Sequence, residues 1–320
     1  MGKALRIAGV AFVALLLALG GAAWVSLNIF TRPGPSTEPK TIVIPRGGIE
    51  VIAATLNGAG VIGDPRLFAI GAWWTRGEGP LRAAEFQFPV NASIRDALTI
   101  LREARPLQRR LTIPEGLTAR QIQALLERTE GLTGAAATLA EGAALPETYA
   151  FSWGDTRDSV LRRAMTAMDQ ALAEAWSARA PNLPLASPRE ALILASIIER
   201  ETGVAAERAL IGGVFVNRLR RGMMLQSDPT VAYIPGQGMP LERPLTRADL
   251  DQPHPFNTYR IRGLPPGPIA SPGLEALRAA TRPAETEFLY FVADGSGGHA
   301  FARTLEEHNR NVARWRALGR

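Results

Sequence analysis

The chain has 320 residues, of which 46% are hydrophobic and 21% charged, an ordinary globular balance with room for a membrane segment and two domains. With no cysteine and only His254, His299 and His308, it excludes disulfides, thiolate metal sites, a cysteine nucleophile and any histidine set spaced for a metal. The formal net charge of +6 is spread along the chain with only short arginine doublets, which suits an anionic membrane or polymer and excludes a nucleic-acid footprint.

Residues 1–6 are short and basic, with Lys3 and Arg6. No charged residue follows from Ile7 to Thr31, a run of 25, long enough to cross a bilayer as a helix. Ala18-Leu19-Gly20 also fits a signal-peptide cleavage site, but the apolar run continues well beyond the usual 7–15 residues, which favours a retained anchor. The basic start places the N-terminus in the cytoplasm and the bulk of the chain outside the membrane. Residues 32–40 carry three prolines and form an extended stalk.

From residue 41 the pattern turns globular. Thr41–Pro45 predicts a strand, and Ile49, Ile52, Ala53 and Leu56 predict an amphipathic helix. Asp64-Pro65 opens a second helix, and Leu81–Pro89 alternates enough for a return strand. This strand-helix-helix-strand unit resembles a LysM module, a peptidoglycan-binding fold. A helix over Ser93–Ala104 connects it onward, so that 41–108 makes one domain and 109–320 a second. The Ile-Pro-x-Gly start of the first unit recurs at Ile113-Pro114-Glu115-Gly116, again followed by helical spacing at Ile122 and Leu126, but without a full return. Gly131–Gly142 reads as loose, Leu145–Phe151 as a structured loop and Arg157–Ala180 as a long helix.

Ser187 then caps a helix whose residues 191–198 are nearly all apolar or small, so it is buried. Glu199 shares a stripe with Leu192, Ala195, Ser196 and Gly203, whereas Glu201 projects to another side. A carboxyl on a buried helix has a raised pKa, as a general acid near neutral pH requires, and the small neighbours leave room beside it. The competing reading is a solvated or paired glutamate, with Arg200 or Arg208 as partner. After Gly222 the chain is loop-rich to Pro272. Glu287–Ala293 is a strand, Asp294–Gly298 a turn to a return strand at His299, and Leu305–Leu318 a closing helix. The glycine-rich turn lacks the Lys-Ser/Thr of a phosphate loop and joins two strands.

Five motifs carry a further resemblance: L-A-S-I-I-E-R-E-T-G at 194–203, V-F-V-N-R-L at 214–219, L-Q-S-D-P-T-V-A-Y at 225–233, F-N-T-Y-R-I-R-G-L-P-P-G-P-I-A-S-P at 256–272 and L-Y-F-V-A-D-G-S-G-G-H-A-F at 289–301. In these, the chain resembles the YceG-like endolytic murein transglycosylases. The resemblance implies an α+β protein: an N-terminal transmembrane helix, a LysM-like module and a mixed α+β catalytic domain in the bacterial inner membrane. It implies a lyase that cuts peptidoglycan strands between N-acetylmuramic acid and N-acetylglucosamine and leaves a 1,6-anhydro end. Glu199 aligns with the family's catalytic glutamate. Gln226, Asp228, Thr230, Asn257 and Tyr259 fall in matching motifs and are assigned to substrate binding, each with a loop-ordering hydrogen bond as the alternative. No metal or cofactor is implied; glycan strands are the partner, with peptidoglycan synthases nearby. Two other classes compete: a non-catalytic, membrane-tethered peptidoglycan adaptor, and a two-carboxyl muramidase-type hydrolase using Glu199 with Glu201 or Asp228.

Overall fold

A computed structural model of the chain describes residues 28–236, 238–239, 241 and 243–319. The expected membrane anchor falls outside these residues except for 28–31, which are helical. Among the described residues no helix is long and apolar enough to cross a membrane. The described residues are α+β with three two-stranded sheets, and they divide into two compact units.

The first unit comprises Met1–Arg109 with Ser152–Gly154. Strand β1 (Lys40–Val43) pairs antiparallel with β2 (Glu85–Phe88), Lys40 opposite Phe88 and Val43 opposite Glu85. One more bond runs from the Ile44 N–H to the Ala84 carbonyl at 2.8 Å, and pairing stops at Pro45, which has no N–H to give. Between the strands lie α1 (Ile49–Gly58) and α2 (Pro65–Trp74). Asp64 caps α2 by accepting the Arg66 and Leu67 N–H groups, with Pro65 in the first turn. Helix α3 (Ile94–Glu103) starts from a Ser93/Asp96 capping box. The strand, helix, helix, strand order is thus present, with Leu56, Phe68, Phe86, Phe88 and Leu101 buried in its core.

The second unit comprises Arg110–Phe151 and Asp155–Arg320. Strands β3 (Gln108–Thr112) and β4 (Thr148–Ser152) pair, and α4 (Ala119–Arg128) lies between them in the chain. The repeat therefore does have a return strand, placed where a loop was expected. Tyr149 and Phe151 are buried while Thr148 and Ala150 are exposed, so the period-2 alternation was present but short. Gly131–Gly142 has no regular structure, yet Leu132 and Leu139 anchor it in the core around Ile122 and Leu161.

Helix α5 (Arg157–Ser177) leads to α6 (Pro188–Glu201), the centre of the unit. Ser187 accepts the Glu190 N–H, while the Glu190 carboxylate takes the Ala186 N–H at 2.7 Å, so the expected capping box closes one residue early. Helix α6 packs against α7 (Arg208–Arg220) and α10 (Leu274–Thr281), with Ile193, Leu194, Ile197, Ile198, Phe215 and Leu277 between them. Two short helices, α8 (Asp228–Gly236) and α9 (Arg247–Asp251), occupy the region read as loop. A carboxylate in the first turn followed by proline starts α8, and a Thr246/Asp249 capping box starts α9, signals masked by the prolines around them. The hairpin β5 (Tyr290–Ala293) and β6 (His299–Ala302) carries the expected turn, and α11 (Leu305–Ala317) packs on it.

Candidate functional site

The C-terminal turn of α6 sends two carboxylates to two different places. Glu199, with a side chain only 4% exposed, accepts the Gly273 N–H at 2.8 Å and an Arg208 Nη2 hydrogen at 3.3 Å. Arg208 also donates to Glu115 at 3.3 Å. Burial pushes the Glu199 carboxyl up, and the Gly273 bond pulls it back most; Glu115 raises it and Arg208 lowers it. Gly273 is the residue before α10, and a Cβ there would meet Glu115 Oε1 at 1.9 Å. Glu199, Glu115 and Arg208 thus form a tight ionic knot that fixes the entry to α10.

Glu201 faces a cavity of about 590 Å3. The Ser227 hydroxyl donates to its Oε1 at 2.5 Å. Burial raises the Glu201 carboxyl to about 7; the Ser227 bond opposes this, Asp228 adds to it and Arg218 opposes it weakly. Glu199 does not line this cavity. The small residues beside Glu199 did not leave room: they let other chain segments come close. Ser196, for example, is fully buried and accepts the Ile269 N–H at 3.1 Å.

Three of the five residues assigned to substrate line the same cavity: Gln226, Asp228 and Tyr259. Tyr259 donates to Asp228 Oδ1 at 2.6 Å. Gln226 sits at φ 50, a left-handed conformation that costs a non-glycine residue about 1–3 kcal/mol and clusters at working sites. Thr230 and Asn257 differ. Both are fully buried. Thr230 donates to the Ser227 carbonyl at 2.7 Å and meets the Thr258 hydroxyl at 2.8 Å. The Asn257 amide donates to the carbonyls of Asp249, Leu250 and Gln252, and its oxygen accepts the Tyr259 N–H. Their polar groups are spent on shaping the loops, the alternative reading of the sequence. They orient Ser227 and Tyr259; they do not face the cavity.

The rest of the wall comes from residues assigned no role in the sequence, although Arg218, Tyr290 and His299 lie within the quoted motifs. Arg218, only 6% exposed, donates to the carbonyls of Leu289 (2.6 Å) and Leu225 (2.7 Å) and lies 5.3 Å over the Tyr290 ring. A buried guanidinium needs such partners. An arginine in the mostly apolar and small Ile211–Leu219 stretch, inside the V-F-V-N-R-L motif, was the signal available in the sequence. His299 is held by Glu207, Nδ1 to Oε2 at 2.7 Å, and its own N–H donates to Glu207 Oε1. His308 stacks on Tyr290 at 5.2 Å, and burial lowers its pKa. Trp315 of α11 completes the wall. The result is an open cleft with one carboxyl of raised pKa, a carboxylate-tyrosine pair, a buried cation and aromatic faces. Such a cleft suits a polar ligand with flat apolar sides, as a sugar has. Among the described residues no group of three or more histidine, cysteine, aspartate or glutamate side chains is placed to hold a metal.

Comparison with known proteins gives the family of the chain. The model of the YceG-like family matches residues 42–314. An endolytic murein transglycosylase of Streptococcus pneumoniae serotype 2 (strain D39 / NCTC 7466) is 30% identical over 362 residues, covering 97% of this chain and 65% of that protein. The chain therefore spans 65% of the length of that curated relative. An endolytic murein transglycosylase of Bacillus subtilis (strain 168) is 39% identical over 170 residues, 53% of this chain and 46% of that protein. A crystal structure of a YceG-like protein from Listeria monocytogenes superposes with a TM-score of 0.54 at 27% identity, covering 86% of this chain and 99% of that one.

Proposed function

The chain belongs to the YceG-like family, and on that premise we propose that it is an endolytic lytic transglycosylase of peptidoglycan. The relatives named for that activity support the reaction and the substrate. The observation that carries the residue assignment is the Glu201 carboxyl, raised to about 7 at the wall of the cleft. A carboxyl with that pKa is protonated about half the time at neutral pH and serves in both directions.

In this reading Glu201, as the acid, gives its proton to the oxygen bridging N-acetylmuramic acid and N-acetylglucosamine. The bond from that oxygen to the anomeric carbon breaks, and the leaving sugar departs as an alcohol. The Glu201 carboxylate then takes the proton of the muramic C6 hydroxyl as that oxygen bonds to the anomeric carbon. The acid is restored, no water is consumed, and the product is the 1,6-anhydro end. Ser227 orients Glu201. Asp228 and Tyr259 form one polar wall for the sugar, with Gln226 beside them. Asp228 also supports Glu201 in its protonated form by like-charge repulsion. The role that the motif alignment gave to Glu199 passes to Glu201 on this geometry.

The uncharged run at 7–31 supports a single-pass anchor in the cytoplasmic membrane with both units outside the cytoplasm. The strand-helix-helix-strand order of the first unit supports a LysM-like contribution to glycan binding. The test is mass spectrometry of purified glycan strands after digestion. Anhydro ends, one water lighter than reducing ends, are expected inside long strands; reducing ends would identify a two-carboxyl hydrolase, and uncut strands an adaptor.

A further inference from the structure

The outer face of α2 has no covering element among the described residues. Ile70, Trp73 and Trp74 are 51%, 62% and 70% exposed. They fall at i, i+3 and i+4, so they form one patch. Arg66 lies one turn before Ile70 on the same face and is exposed, and the Arg76 guanidinium sits 4.7 Å over the Trp73 ring. Large exposed apolar patches on a folded unit mark interaction surfaces.

The same helix receives the chain from the N-terminal run. Phe30, at the end of the 25 uncharged residues, packs against the core of the first unit, and a Cβ on Gly71 would meet its ring at 2.8 Å. Gly71 immediately follows Ile70 and precedes the tryptophans, so the absent side chain is what seats Phe30 on α2. The helix that bears the exposed patch is therefore the helix on which the N-terminal run lands. Tryptophans flanked by arginines are the side-chain set of the headgroup layer, with the indole ring at the acyl boundary and the cation near lipid phosphate.

We propose that the Ile70, Trp73 and Trp74 face of α2 lies in the outer headgroup layer of the membrane, held by anionic phospholipid. This proposal rests on the anchored reading of residues 7–31. The face acts as a second, monotopic contact that holds the first unit at the bilayer surface.

The absence of cysteine allows a clean test. Ile70→Cys, Trp74→Cys, Val51→Cys and Leu16→Cys are made singly in the full chain and labelled with an environment-sensitive fluorophore. Val51 is 47% exposed on α1 and serves as the reference. Each protein is placed in nanodiscs of phosphatidylethanolamine and phosphatidylglycerol, with and without brominated acyl chains. The expected result is a blue shift and loss of emission on bromination at 70 and 74, as at 16, with no change at 51. Silent labels at 70 and 74 beside a quenched label at 16 overturn this proposal and leave the anchor standing. A silent label at 16 overturns both. A response at 70 and 74 to added glycan strands but not to brominated lipid makes the face a sugar platform and overturns the membrane assignment.

Discussion

The two sides of the last turn of α6 hold the same functional group in opposite service. On one side Glu199 is locked by a backbone N–H and an arginine shared with Glu115. On the other, Glu201 has a single hydroxyl donor and an open cleft. Burial raises both carboxyls, so the direction of the shift does not separate them. What separates them is the use of their oxygens. An acid that must move a proton to a ligand needs an oxygen that can reach it. Both oxygens of Glu199 are engaged by the protein, whereas Glu201 has the Ser227 hydroxyl on Oε1 and lines the cleft.

The contrast breaks most sharply in activity. Glu201→Gln keeps the shape and accepts the Ser227 hydrogen, but it gives no proton. The yield of anhydro ends is expected to fall by about 10²–10⁴ or more, with a melting temperature at acidic pH close to that of the native chain. Near-normal turnover of Glu201→Gln, with an inactive but equally stable Glu199→Gln, would return the acid-base role to Glu199.

The Glu199 side answers in stability. Arg208→Leu leaves a nearly buried carboxylate and its neighbour Glu115 without their cation, and removing one member of such a pair costs on the order of 3 kcal/mol. Denaturant unfolding should show that loss in the midpoint. An unchanged midpoint would mean the knot is loose, and that Glu199 is free for other work.

The finest distinction is in pH. The Glu201 carboxyl sits at an ordinary 4.5 in the unfolded chain and about 7 in the fold. The folded chain therefore holds a proton that the unfolded chain has released between these values. Stability from this group is full below 4.5 and is lost as pH rises through about 7, by up to about 1.4 kcal/mol per pH unit. Glu201→Gln carries no proton equilibrium and should flatten that part of the stability profile. An identical slope in both proteins would assign it to another group.

The sequence was most legible where local chemistry decides. Asp64-Pro65, Ser93 and Ser187 each begin a helix where capping residues predict one, and the β5–β6 turn falls at Asp294–Gly298 as expected. The family emerges from motifs whose loops, though irregular, are fixed by their own polar residues. The different surroundings of Glu199 and Glu201 were not legible, because they depend on segments far along the chain. Gly273 engages one carboxylate and Ser227 the other, and helical periodicity contains neither fact. The burial of Thr230 and Asn257 was hidden for the same reason: a polar residue in a loop shows its chemistry in sequence, but not which way it turns.

The cleft wall supplied by Tyr290, His299, His308 and Trp315 has a consequence in time. These residues are synthesised long after Glu201. Until they arrive, the cleft has no far wall against which a ligand could rest. A partly made chain thus carries Glu201 and its Ser227 partner without the enclosed cleft, which is complete only when the final hairpin and helix are in place.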